Sequence, residues 1–223
     1  MNPSLFTFKP HIVKDIYIKD PLTSEIGKDI IRKSNDMIAL LGFESFTFKK
    51  LAIEIQSTEA TIYRYFENKQ KILLYLTSYY WSQIEFKLMI KNTNINDDII
   101  RLRNAVETVC YPGDSLDEWI NQKNLFFNII NESSKSYMTK SVDNLNHNGV
   151  YYNYKKMVGI ISDIILDIRP DYLYSHMLVT TIIEGIHHQI FFAEHLPSLT
   201  DKRPDKEYLV HFYFDLAIAI LKK

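Results

Sequence analysis

Residues 46–72, FTFKKLAIEIQSTEATIYRYFENKQKI, break their helical pattern twice, within a stretch too short for two packed helices joined by an ordinary loop. Thr47 is placed to cap a short helix, FKKLAIEI, with Leu51 and Ile55 turned inward and Lys49 and Lys50 in its first turn. Ser57 or Thr58 opens another, EATIYRYF. There Ile62 and Phe66, four apart, form the buried pair, and Ala60, Thr61, Tyr63 and Arg64 stay outside. Asn68 then caps a long helix, KQKILLYLTSYYWSQIEFKLMI. Ahead of these, Thr23 or Ser24 starts a helix whose apolar positions Ile26, Ile30, Met37, Ile38 and Leu41 share one side. Gly42, followed by Phe43, ends it with a left-handed cap. Two short helices at a tight turn with a third behind them make a helix-turn-helix. The turn is tight because the first helix must cross the DNA backbone while the next enters the major groove, which admits only one.

The rest of the chain fits only one fold class. Six glycines and seven prolines in 223 residues leave few turns, and no alternating run bounded by turn signals occurs, so the chain is expected to be all-α. Further helices are expected near 97–110, 116–133, 150–168, 171–195 and 205–222. Residues 1–22, with Pro3, Pro10 and Pro21, read as a loosely ordered arm carrying at most a helical turn around IVKDIYI. The expected division is this arm, a three-helix domain over 23–70, and a larger helical domain over 71–223, with the long fourth helix as a rigid connector. A net charge of −1 excludes a protein that grips nucleic acid by overall positive charge, but not one with a basic face. The single cysteine, Cys110, cannot form an intrachain disulfide, and no basic, apolar and small-residue leader opens the chain; a reducing, cytoplasmic setting is expected. The longest apolar run, YLVHFYFDLAIAIL at 208–221, is shorter than a bilayer requires and contains His211 and Asp215, so no membrane span is expected.

The segment 23–75 resembles the tetracycline-repressor family of bacterial transcription regulators. The family pattern has a threonine opening the second helix, a small residue inside it, and Ser or Thr before the third. Thr, an aliphatic residue, Tyr, any residue, Tyr and Phe follow, then Asn or Ser before Lys. Here those places hold Thr47, Ala52, Thr58, Thr61, Ile62, Tyr63, Tyr65, Phe66, Asn68 and Lys69. The resemblance implies a dimeric repressor whose later helices form an effector-binding and dimerisation domain. Two positions depart from the pattern. Gln56 stands at the family's turn glycine, where it either adopts a positive φ or imposes a different turn. Glu59 stands where a basic or neutral residue is common, and either accepts from a cytosine amino group or repels phosphate.

Candidate DNA contacts are Thr47, Lys49, Lys50, Thr58, Glu59, Ala60, Thr61, Tyr63, Arg64, Tyr65 and Lys69. Within 47–71, five cations (Lys49, Lys50, Arg64, Lys69, Lys71) face three acids (Glu54, Glu59, Glu67), a net charge of +2. Cations in a helix's first turn oppose its dipole, so Lys49 and Lys50 suit an external anion, unless they merely solvate a face. Thr47, Tyr63, Tyr65 and Lys69 are expected to hold phosphates, Tyr63 and Tyr65 having ordinary core aromatics as the alternative. Arg64 and Thr61 are expected to meet base edges, the arginine guanine and the threonine methyl thymine.

The helices MLVTTIIEGIHHQIFF at 177–192 and 208–221 are apolar nearly all round. A homodimer packed through 171–195 and 205–222 would bury them and would space two recognition helices for a palindromic operator. Among the aromatics of the middle helices, Trp81, Trp119, Phe127, Tyr151 and Tyr154, with His187, are candidates to line a site for a small-molecule effector of unknown identity. Such an effector would weaken operator binding by favouring a wider separation of the two heads. No cofactor or metal is expected. The alternative is a helical-bundle metal enzyme using Glu184-x-x-His187, but such a site needs a second copy of the motif, which the sequence lacks. Glu207 and His211, at i and i+4, are likewise without a partner pair.

Overall fold

Every regular element among the described residues, 8–201 and 206–222 of this computed structural model, is helical. In chain order these are α1 (Glu25–Leu41), α2 (Phe48–Glu54), α3 (Glu59–Tyr63), α4 (Lys69–Asn92), α5 (Asp98–Cys110), α6 (Gln122–Glu132), α7 (Ser134–Tyr137), α8 (Val142–His147), α9 (Tyr152–Ile168), α10 (Ser175–His195) and α11 (Lys206–Leu221). Short 3-10 turns occupy Lys14–Ile16, Pro21–Thr23 and Pro197–Leu199. No helix among the described residues is long and apolar enough to cross a membrane.

Ser24 caps α1, its hydroxyl accepting from the Gly27 N–H at 3.2 Å. The stripe Ile30, Ile31, Ser34, Asn35 and Ile38 is buried. Leu41 does not continue it as expected and is 39% exposed. The chain turns first at Gly42, whose φ of 75° suits glycine, and Phe43 enters the core in its place. Asn68 caps α4 through the Lys71 N–H, at 3.0 Å.

The described chain divides into two compact units. One holds the chain to Gln83 together with Asp114–Asn153, and therefore α1–α3, the first part of α4, and α6–α8. Here α1 meets α6 along a polar seam. The Asn35 side-chain amide donates to the Asn121 carbonyl at 2.9 Å, that of Asn128 donates to both oxygens of Asn35 at 2.9 Å, and Glu132 accepts the Phe43 N–H at 3.0 Å. Such a seam sets register, because sliding would leave buried amides unpaired. The other unit comprises Ile84–Gly113 and the chain from Tyr154, where α5, α10 and α11 pack mutually around Leu102, Val106, Ile183, Ile186 and Tyr213. α4 is one unbroken helix contributing to both units.

Two expectations are corrected. The helix expected from residue 116 begins at Gln122. Pro112 and Gly113, the latter at φ 69°, end the previous helix, and Asn121 supplies the cap that starts the next, accepting from the Asn124 N–H at 3.1 Å. The arm is also more ordered over its described part than expected. Ile16 and Pro21 are buried, and the Ile18 N–H donates to the Tyr65 carbonyl at 2.8 Å.

Candidate nucleic-acid interface

Caps and a turn, rather than length, define the two short helices. The Thr47 hydroxyl accepts the Lys50 N–H at 3.3 Å and the Thr58 hydroxyl accepts the Thr61 N–H at 3.2 Å. Each satisfies a backbone donor that the first turn leaves orphaned. Between them, the Ser57 N–H returns to the Ala52 carbonyl at 2.8 Å and the Gln56 N–H to the Ile53 carbonyl at 3.1 Å, the paired bonds of a Schellman ending. This geometry places Gln56 at φ 51°, the left-handed region, so of the two alternatives at that position the positive φ holds. Gln56→Gly is therefore expected to stabilise the fold by about 0.5–1 kcal/mol, the left-handed strain relieved exceeding the entropy that glycine adds to the unfolded chain. Gln56→Ile should destabilise it. A higher urea midpoint for the first and a lower one for the second check this.

Phe48, Leu51, Ala52, Ile62 and Phe66 face inward and are buried. The outer side of the pair carries Thr47, Lys49, Lys50, Thr58, Glu59, Ala60, Tyr63 and Arg64, all exposed, with Thr61 half-buried beside them. Arg64 reaches Thr61 at 3.4 Å, and the Tyr63 ring, 50% exposed, stands edge-on to Phe48 at 4.9 Å, which fixes its direction. Lys50 donates to the Ser45 carbonyl at 2.8 Å. Glu54 is paired with Lys33 at 2.8 Å, so one of the three acids in this segment is already neutralised. α3 ends at Tyr63, earlier than the expected EATIYRYF.

Two expected contacts are drawn inward. Tyr65 is 3% exposed and its hydroxyl is hydrogen-bonded to that of Ser24 at 2.8 Å, so its core alternative applies. It lies past the end of α3, where the chain bends toward α4. Lys69 donates to the Phe43 and Glu44 carbonyls, both at 2.9 Å, and sits 4.7 Å over the Phe43 ring. Its charge thereby fastens the α1–α2 connection to the start of α4 instead of standing free for phosphate. Ile55, expected inside, is only half-buried at the end of α2. Ile53, 72% exposed on the outer side, went unnoticed in the sequence. The available signal was that a seven-residue helix cannot turn Leu51, Ile53 and Ile55 all inward.

The effector candidates are distributed over both units. Trp81, Trp119, Phe127 and Tyr151 belong to the first, where Trp81 is buried, Trp119 stands edge-on to Tyr79 at 5.6 Å, and the Tyr151 hydroxyl donates to the Ser136 carbonyl at 2.9 Å. Tyr154 and His187 belong to the second. There the Tyr154 hydroxyl is 3.0 Å from Glu184, and burial, followed by the neighbouring charge of His188, holds the pKa of His187 down at about 4, which keeps it neutral. No group of three or more His, Cys, Asp or Glu residues able to hold a metal ion occurs among the described residues.

The family model described as "Bacterial regulatory proteins, tetR family" matches residues 30–76, from within α1 to the first turns of α4. No curated protein sequence matches the chain. Among solved structures, a TetR-family transcriptional regulator from Bordetella parapertussis 12822 is similar with a TM-score of 0.58 at 12% identity, over 87% of this chain and 95% of that one. A putative transcriptional regulator from Saccharomonospora viridis in complex with choline has a TM-score of 0.58 at 19% identity, over 89% and 97%. AibR in complex with isovaleryl coenzyme A and operator DNA has a TM-score of 0.56 at 14% identity, over 84% and 95%. The helix-turn-helix segment thus matches the tetR-family model, and the all-helical fold is similar to that of solved TetR-family regulators.

Proposed function

We propose that the protein is a cytoplasmic repressor that binds a palindromic operator as a homodimer and releases it when a small-molecule effector binds the region beyond the DNA-binding head. The head is residues 23–70 and the effector and dimerisation region 71–223. The observation that carries this reading is the outer side of α3 and its C-cap, where Glu59, Ala60 and the capping Arg64 are exposed over an inner side sealed by Ile62. Arg64 and Thr61 read base edges, and Thr47, Lys49, Lys50, Thr58 and Tyr63 hold the phosphates. Exposed apolar side chains on each of the two helices, Met177 on α10 and Tyr208 and Phe212 on α11, support dimerisation through these helices. The solved structures with choline and with isovaleryl coenzyme A plus operator DNA support a small-molecule effector.

Selecting bound duplexes from a random pool tests the reading. A palindrome is expected, with affinity falling as salt rises, because phosphate contacts release counterions. Arg64→Ala should relax preference at one position per half-site at about 1–3 kcal/mol. Recovery of no consensus, or of an unchanged one after Arg64→Ala, would remove the base-reading role.

A further inference from the structure

The arm lies outside the segment that the family model matches, yet it runs beside the C-terminal end of α3. Its Ile18 N–H donates to the Tyr65 carbonyl at 2.8 Å, and Lys71, in the first turn of α4, donates to the Asp15 carbonyl at 2.6 Å. These two bonds clamp the arm against the bend that joins α3 to α4. The rest of its described part follows α4, with Tyr17 standing 6.4 Å from Tyr75 and Phe8 standing 5.8 Å from Tyr79.

The clamp brings a cation to the edge of the candidate interface. The Lys19 ammonium sits 5.1 Å from the centroid of the Tyr65 ring, whose hydroxyl is bonded to that of Ser24. Tyr65 directly follows Arg64, and its phenol senses both cations. The Ser24 hydrogen bond lowers the Tyr65 pKa, burial opposes that, and the nearby Lys19 and Arg64 lower it further. Lys19 and Arg64 therefore stand around one phenol. Both are exposed, and neither has an ion-pair partner among the described residues. The other cations of this corner are engaged with main-chain oxygens, Lys69 with those of Phe43 and Glu44 and Lys71 with that of Asp15. Tyr65 and Lys69, the groups expected to hold phosphates here, are turned inward, and Lys19 presents a positive charge at the edge they leave.

We propose that the arm belongs to the nucleic-acid interface and that Lys19 holds a backbone phosphate of the duplex beside the base pair that Arg64 reads. The assignment rests on the regulator reading and extends its contacts beyond residues 30–76. An ammonium is a compact point charge and suits a phosphate, whereas the forked guanidinium of Arg64 suits a base edge. The Tyr65 ring beneath the ammonium is itself buried and bonded, so the charge has a fixed support before DNA arrives.

Salt titrations of the full chain on its selected operator and on a scrambled duplex, read by fluorescence anisotropy, test the proposal. Lys19→Gln removes the charge and keeps most of the stem, so a wild-type urea midpoint is expected. It should weaken both duplexes by the same factor and make the slope of log K against log salt shallower by about 0.9 for each half-site. Lys19→Arg should restore the slope. Lys9→Ala is the control, because Lys9 is also exposed but adjoins Phe8, which packs on Tyr79, about 15 Å along α4 from Lys69. Its slope should be that of the wild type. An unchanged slope in Lys19→Gln would overturn the assignment, and lost affinity at that slope would reduce Lys19 to a prop for Tyr65. A changed consensus in duplex selection with Lys19→Gln would overturn it as well, since a phosphate contact carries no sequence preference. Wild-type protein without salt-dependent duplex binding would sink the regulator reading itself, whereas salt-dependent binding that Lys19→Gln leaves untouched sinks only the part given to the arm.

Discussion

Gly27→Ala is expected to destabilise the protein by about 2–3 kcal/mol or more, although alanine in a helix ordinarily gains up to about 1 kcal/mol over glycine. Gly27 lies in the first turns of α1, where the chain entering the helix doubles back across it. A Cβ there would stand 2.3 Å from the Pro21 carbonyl oxygen and 2.7 Å from its Cα. These are backbone atoms and cannot rotate away. Pro21 is itself buried, in a turn capped by Asp20, which accepts the Leu22 N–H at 2.9 Å, so relief requires moving the whole turn off α1. Gly159, in α9, is the control: a Cβ there meets nothing within 4 Å, so Gly159→Ala should stabilise by about 0.5–1 kcal/mol. Urea midpoints of the two variants should move in opposite directions. Shifts of the same sign would mean that Pro21 does not approach α1 in the folded protein.

Ile62→Ala should cost about 2–5 kcal/mol and weaken binding to operator and scrambled duplex alike. α3 has five residues, far fewer than an isolated helix needs in water, so burial of its inner side is what keeps it formed. Ile62 is its one buried residue, inaccessible to solvent. Truncation leaves a cavity beneath the recognition helix and removes the anchor that holds Arg64 and Thr61 outward. Chemical denaturation and fluorescence anisotropy on an operator and a scrambled duplex would report both effects. A variant with wild-type stability, or one that loses operator affinity while keeping that for scrambled DNA, would contradict this role. Arg64→Ala should give the complementary result, lost discrimination with stability retained.

The two short helices were legible because their boundaries are set locally. Thr47, Thr58 and Asn68 are caps whose side chains bond backbone groups three residues on, and Gly42 ends α1 at a positive φ, whereas at Gln56 the sequence left two turn geometries open and the fold chose the positive φ. The burial of Ile62 and Phe66 was legible as well, although α3 ends at Tyr63 and Phe66 enters the core from the bend beyond it. Tyr65 and Lys69 were misplaced because the competing partners are distant in sequence. Ser24 is 41 residues from Tyr65, and the Phe43 carbonyl is 26 residues from Lys69. No spacing rule announces such contacts.

By itself, the sequence determined that the regular elements would be helices, where α3 begins, and which side of α3 faces water, because caps, breaks and apolar periodicity act over a few residues. Only the tertiary structure decided that the arm packs along α4, that Gly27 must lack a side chain, and that α1 is read against α6 through asparagines. Those features depend on which surfaces meet, and steric exclusion and the pairing of buried polar groups settle that choice between segments far apart in the chain.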